Sequence, residues 1–194
     1  MAEAPLGSPT PPDAILQGAA DVFVYGPPGA GKSWIGRFLA DERGFRFEDG
    51  DQWLPKDLRE SLRRGKAFTD GQRERFAGVV ADELARARDE EARRPAGARR
   101  IVVAQAMLKA RHRGLIAARH PDLLFVLATA DAAVLQRRLS GGANLVGGAL
   151  GAAMAAMVEA GAGNPVIRSA SADDATVPAQ IDAILAAASI LATA

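Results

Sequence analysis

The sequence predicts an α/β protein, a parallel sheet covered by helices on both faces and organised around a phosphate-binding loop. Three observations carry this. Short apolar runs alternate with helical segments from residue 21 onward, the pattern of right-handed βαβ units. Asp21 to Ser33 reads as a buried strand, a glycine-rich turn and the first turn of a helix. Within it Gly26, Gly31, Lys32 and Ser33 fill every fixed position of G-x-x-x-x-G-K-[ST]. Finally, Gly26–Ser33, Asp49–Asp51 and Gln105–Lys109 each follow a strand end, where ligands of parallel sheets collect. They are expected to converge on one cleft.

The elements follow in order. Residues 1–18 hold Pro5, Pro9, Pro11 and Pro12 among small residues and read as a flexible leader. Residues 19–194 read as a single domain. After the loop, Trp34, Ile35, Phe38 and Leu39 recur at helical spacing, and Gly44 ends that helix. Phe45–Glu48 is a short strand. Leu54, Leu58 and Leu62 mark a helix stopped at Gly65. Asp70 is expected to cap a long charged helix reaching Arg94, broken by Pro95 and Gly97. Arg100–Ala104 is a buried strand, with a helix from about Leu108 to Arg119. Leu123–Ala128 is the next strand, followed by a helix from Asp131 to about Leu139. Ser140–Gly148 is glycine-rich and uncharged, and Ala149–Glu159 is expected to be helical. Asn164–Arg168 is the final strand, and Pro178 lies in the first turn of a final helix.

The loop has a physical logic. Its glycines permit positive φ and let backbone N–H groups curl into an anion-binding nest. Gly29 and Ala30 lie inside this turn, and the following helix N-terminus adds partial positive charge. Lys32 is placed to bridge the β- and γ-phosphates of a nucleoside triphosphate, and the Ser33 hydroxyl to ligate Mg²⁺. Asp49 and Asp51 flank Gly50. One carboxylate suits a metal held through water, and the other suits an attacking hydroxyl. The same triplet is also an ordinary Asp-Gly turn. Lys109 and Arg113, four apart, share one helix face. That face fits an anionic or polyhydroxylated substrate, or simply a solvated basic surface continued by Arg111 and Arg119. His112 and His120 have no partner spacing for a metal, and Met107 reads as core.

Composition narrows the partners. With 24 basic and 23 acidic residues the net charge is +1, so no general nucleic-acid footprint is indicated. There is no cysteine, hence no disulfide framework or thiolate metal site. The N-terminus lacks the basic start and apolar run of a secretion signal, and no apolar stretch spans a bilayer. A cytoplasmic protein acting on a small molecule, away from membranes, is the default, with a homodimer left open.

Together these residues resemble the gluconate kinase family of small P-loop kinases, relatives of shikimate kinases. The resemblance runs through Gly26–Ser33, Asp49-Gly50-Asp51, Ala106-Met107-Leu108-Lys109 with Arg113, Pro121–Leu127 and Arg138-Leu139. It implies a three-layer P-loop NTPase fold, with a five-stranded parallel sheet in order 2-3-1-4-5 and a lid at about residues 140–160. It also implies ATP-dependent phosphorylation of a sugar-acid hydroxyl. Asp51 would stand near that hydroxyl, Asp49 near the metal, Lys109 and Arg113 near the acceptor, and Arg138 near the adenine. Three positions depart from the family. Leu54 stands before Pro55 where the family has histidine, Ala106 replaces a serine, and Ser140–Gly148 contains no cation where the family's lid is basic. The uncharged lid keeps a second reading open, an ATP-binding protein with weak or no kinase turnover acting through a partner. A nucleotide or nucleic-acid-end kinase is a third. The lid itself is expected to be mobile, because its glycines raise the entropy lost on ordering.

Overall fold

The computed structural model describes residues 21–97, 99–140, 146, 148–170 and 174–192. The expected leader and residues 141–145 and 147 of the expected lid lie outside the described residues.

The strands are β1 (Val22–Tyr25), β2 (Arg46–Asp49), β3 (Ile101–Ala104), β4 (Leu124–Ala130) and β5 (Val166–Ser169). All neighbouring pairs are parallel, in the order β2-β3-β1-β4-β5. Parallel strands are buried on both faces, which is why β1 and β3 are apolar throughout. The register aligns Phe23 with Val103 and Phe125.

Period-two alternation sorts these side chains into two cores. On one face Phe23, Tyr25, Val103 and Phe125 meet helices α2 (Lys56–Arg63), α3 (Asp70–Ala92) and α4 (Ala110–Ala117), through Leu58, Leu62, Phe76, Val80, Leu84 and Ile116. On the other, Val22, Val24, Val102 and Val126 pack with Ile35 and Leu39 of α1 (Lys32–Arg43) and Ile181 and Leu185 of α7 (Val177–Ala192). This is the three-layer arrangement expected.

Two short helices lie between β4 and β5: α5 (Ala132–Ser140) and α6 (Gly148–Ala155). They touch closely enough that a Cβ on Gly151 would lie 2.6 Å from Leu139 Cδ1. Val146 is buried, and Leu150, Met154 and Val158 pack on the first core, so this part of the expected lid region rests on the sheet's α3 side.

One expectation is corrected. The cap of α3 is Thr69 rather than Asp70. Thr69 Oγ1 accepts from the Gln72 N–H at 3.2 Å, and Gln72 Oε1 accepts from the Thr69 N–H at 2.9 Å. This reciprocal pair satisfies two orphan donors at once, which displaces Asp70 to the first helical position. α4 also starts at Ala110, because residues 105–109 run as a loop over the sheet end before turning into it.

Candidate active site

The phosphate loop leaves β1 through Gly26, whose φ is 146°. A Cβ there would stand 2.1 Å from the Ala128 carbonyl oxygen, so only glycine lets the loop leave against β4. Gly31 caps α1 in the left-handed conformation, φ 88°, with no side-chain hydrogen bond to the helix end. The first-turn N–H groups of α1 therefore face outward, as an anion site requires. Ser33 lies in that turn.

Lys32 folds back over the loop and donates from Nζ to the Pro27 carbonyl at 2.8 Å. Burial lowers its pKa to about 8, against the opposing pull of Asp51 and Asp49. The ammonium is thus desolvated beside two carboxylates, a position that a phosphate would relieve.

The acidic turn is built by its own backbone. Asp49 ends β2 and accepts the Asp51 N–H on Oδ1 at 3.0 Å, capping the single 3-10 turn Gly50–Trp53. Arg59 of α2 secures the turn by donating to the carbonyls of Asp51 and Gln52 at 2.9 and 3.1 Å. Asp51 Oδ1 accepts from Gln105 Nε2 at 2.8 Å. Burial raises the Asp51 carboxyl above its ordinary range; Asp49 adds to the rise, while Lys32, Gln105 and Arg59 oppose it.

The loop, Lys32 and Asp51 share one cleft of about 400 Å³, whose lining does not include Gly26, Ala30 or Asp49. Gly29, Gly31, Lys32, Ser33, Asp51 and Arg138 line it together, and Leu62, Phe68, Phe76, Met107, Val146 and Met154 supply apolar walls. Arg138 Nη1 donates to the Gly29 carbonyl at 2.9 Å and to Ser169 Oγ at 3.2 Å. A smaller hollow of about 160 Å³ opens beside it, lined by Ala30, Trp34, Arg138, Ser169 and Val177 among others.

Lys109 and Arg113 are not among the lining residues. Lys109 pairs with Asp70 at 2.7 Å. Arg113 is buried and donates to the carbonyls of Met107, Leu108 and Glu159 at 2.9, 2.8 and 2.6 Å. Its guanidinium lies over the Tyr25 ring, 3.9 Å from the centroid, within cation–π range. Both cations therefore hold the segment that forms the cleft wall.

Gln105 lines the cleft as its place after β3 predicts, though without an expected role, and three further lining residues, Trp34, Arg73 and His112, carry no such signal in the sequence. An amide carries no motif. His112 was weighed only as a metal ligand. Trp34, 47% exposed and stacked on Phe38, looked like core by its helical spacing. Among the described residues no cluster of three or more His, Asp or Glu side chains is placed to hold a metal by itself. Ser33 and Asp49 do offer the oxygen donors that Mg²⁺ takes when substrate phosphates complete its shell.

No family model matches the chain. A shikimate kinase from Pseudoalteromonas atlantica is 56% identical over 36 residues, 19% of this chain and 21% of that protein. The chain spans only about a fifth to a third of the lengths of the curated shikimate kinases it matches. Solved structures extend further. A gluconokinase from Sinorhizobium meliloti 1021 superposes with a TM-score of 0.67 at 22% identity, over 91% of this chain and 95% of that one. A shikimate kinase from Acinetobacter baumannii, in complex with shikimate, gives 0.57 at 16% identity over 91% and 98%. The fold is that of the gluconate and shikimate kinases. The sheet order expected from the resemblance is the one observed. Among the described residues, no helix is long and apolar enough to cross a membrane.

Proposed function

We propose that the chain is an ATP-dependent kinase, transferring the γ-phosphoryl group to a hydroxyl of a small polyhydroxylated acid in the manner of a gluconokinase. The observation that carries this is the Asp51 carboxylate, steadied by Gln105 and sharing one cleft with Lys32 and the phosphate loop. Phosphoryl transfer needs positioning and charge neutralisation more than covalent chemistry, and these residues supply both.

In this reading the nucleotide phosphates lie over Gly26, Gly29, Ala30, Gly31 and Ser33, with Lys32 against the β- and γ-oxygens. The base and ribose enter the hollow beside Arg138. Ser33 and Asp49 would hold Mg²⁺, which would neutralise charge on the β- and γ-phosphates. The acceptor hydroxyl hydrogen-bonds to Asp51. Its oxygen attacks the γ-phosphorus, the bond to the bridging oxygen breaks with its electron pair leaving on ADP, and the proton passes to Asp51. A carboxylate pushed up by burial is the better base for that step. Arg73, on the acceptor side of the cleft, suits an acid's carboxylate. Lys109 and Arg113 serve the acceptor indirectly, by fixing the wall at Met107 and Leu108.

The engagement of these two cations also favours a second reading, a nucleotide-binding protein with little turnover. A screen of sugar acids and polyols for ADP release separates them. Turnover on one acceptor, abolished in Lys32→Ala together with tight MgATP binding by calorimetry, is the expected result. ATP binding without turnover on any acceptor would select the second reading, and unchanged nucleotide affinity in Lys32→Ala would remove the site altogether.

A further inference from the structure

Among the described residues Trp34 is the only aromatic side chain left exposed, at 47%. It stands in the first turn of α1, two residues after Lys32. A lone exposed apolar residue on an open surface needs no explanation, but this one borders two hollows. Trp34, Gly31 and Arg138 are the three residues that line both the cleft of Lys32 and Asp51 and the smaller hollow beside it. They therefore bound the passage from one to the other. Gly31 contributes only backbone there, whereas Trp34 and Arg138 contribute planar groups.

The indole is held from behind. Phe38, one turn further along α1, stacks with it at 5.5 Å between centroids and 16° between planes. The Arg43 guanidinium lies over the Phe38 ring at 5.2 Å. It also donates two hydrogen bonds, each 2.9 Å, to the Asp182 carboxylate of α7. This stack ties the ring to two helices, so the entropy of ordering it is lost on folding rather than on binding.

The smaller hollow suits a heterocycle better than a phosphate. Ala30, Ile35 and Val177 give it apolar walls. Among the described residues its other polar side chains are engaged within the protein. Arg138 donates to Ser169 Oγ. The Asp174 carboxylate accepts from the Ala170 and Thr176 N–H groups at 2.6 and 2.9 Å, and from Thr176 Oγ1 at 2.7 Å. A phosphate entering there would meet the Asp174 charge, whereas a base meets apolar and aromatic surface.

We propose that Trp34 is the base-binding residue of the nucleotide site, its indole the platform on which the base of the triphosphate lies. The base is then recognised by its face, and affinity follows the stacking area that it offers. This rests on the nucleotide reading of the phosphate loop and adds to it a residue outside the loop's pattern.

The test titrates the full chain, with Mg²⁺ present, with ATP, CTP and ribose 5-triphosphate, which has every part of ATP but the base. Wild type, Trp34→Phe and Trp34→Leu are compared by calorimetry. Wild type is expected to bind ATP tightest, CTP next and ribose 5-triphosphate weakest. Trp34→Leu keeps apolar bulk but has no π face, so ATP binding should weaken roughly 5–100-fold while ribose 5-triphosphate binds as before. Trp34→Phe should fall between the two. ATP should also quench tryptophan emission more than ribose 5-triphosphate does. That difference should vanish in Trp34→Phe, where Trp53 is the remaining tryptophan. Because Trp34 is half exposed, Trp34→Leu should melt close to wild type. None of these readouts needs an acceptor, so they hold whether or not the chain turns over.

Equal losses of ATP and ribose 5-triphosphate affinity in Trp34→Leu, with a lower melting temperature, would make the indole a support of the loop and overturn the proposal. So would an affinity order that Trp34→Leu leaves unchanged in size. Ribose 5-triphosphate bound as tightly as ATP by wild type would overturn the platform while leaving the phosphate loop standing. Binding of none of the three ligands would remove the loop's reading and the platform together.

Discussion

Gln105 Nε2 and Asp51 Oδ1 meet at 2.8 Å across the ends of two neighbouring strands, and they meet because residue 50 has no side chain. β2 delivers the acidic turn and β3 delivers Gln105, in parallel register, with Asp49 opposite Ala104. A Cβ on residue 50 would come within 2.6 Å of Gln105 Cγ, 2.8 Å of its Cβ and 3.2 Å of the Ala104 carbonyl. Gly50→Ala is therefore expected to push Gln105 off the carboxylate. Turnover should fall on the order of ten-fold, about 1.4 kcal/mol in the barrier, with MgATP affinity unchanged because the phosphate loop is not touched. Steady-state kinetics beside calorimetry checks this. A fall in nucleotide affinity equal to the fall in kcat would mean that the whole turn had moved.

Asp51→Asn tests the carboxylate itself. Asparagine keeps the shape and loses the charge and the basicity, so kcat should fall roughly 10²–10⁴-fold, the usual worth of a positioned general base. Nucleotide affinity should change little. Retained turnover on the true acceptor would assign the base role elsewhere.

The sheet and the loop were legible in the sequence because they depend on local rules. Apolar runs at β1 and β3 announce strands buried on both faces. The glycine pattern announces positive φ, found at Gly26, Gly29 and Gly31. The acceptor wall was not legible, because it is made by long-range contacts. Arg113 bonds to the Glu159 carbonyl, 46 residues away, and Lys109 to Asp70, 39 residues away. Spacing four on a helix put these two cations on one face but could not say what that face would meet. The cap of α3 failed for a subtler reason. Thr69 and Asp70 are both good caps, and Gln72 decides between them by reaching back to Thr69.

Glu91 gives a stability prediction with a definite sign. It is buried in the last turn of α3 and its carboxylate meets Arg99 at 2.9 Å, Arg94 at 3.3 Å and Arg46 at 3.4 Å. The hydrogen bonds from Arg99 hold its pKa down to about 2, from an ordinary value of 4.5. A depressed carboxylate stabilises the fold above the unfolded value and loses that contribution as pH falls through the folded one. Stability should therefore drop between about pH 4.5 and 2. Glu91→Gln should lose roughly 2–3 kcal/mol at neutral pH, discounted for partners that are partly exposed, and should flatten that acid limb. Urea denaturation at several pH values measures both. An acid limb of unchanged slope in the variant would show that other carboxylates dominate it.

Arg113→Lys separates a residue that touches the acceptor from one that holds the wall. The guanidinium reaches three carbonyls and sits over the Tyr25 ring; a lysine cannot keep that fork of donors. Tyr25 in turn accepts from the Gly161 N–H and Asn164 Nδ2 through its hydroxyl at 3.1 and 3.0 Å, so the strain would spread to the segment before β5. The expected outcome is a loss of about 2 kcal/mol, or roughly 4–8 °C in Tm for a chain of this size. kcat/KM should fall by a similar factor for good and poor acceptors alike, since the wall is displaced rather than a single contact removed. If the variant instead melts like wild type and raises KM for acids but not for neutral polyols, Arg113 binds the acceptor's carboxylate directly.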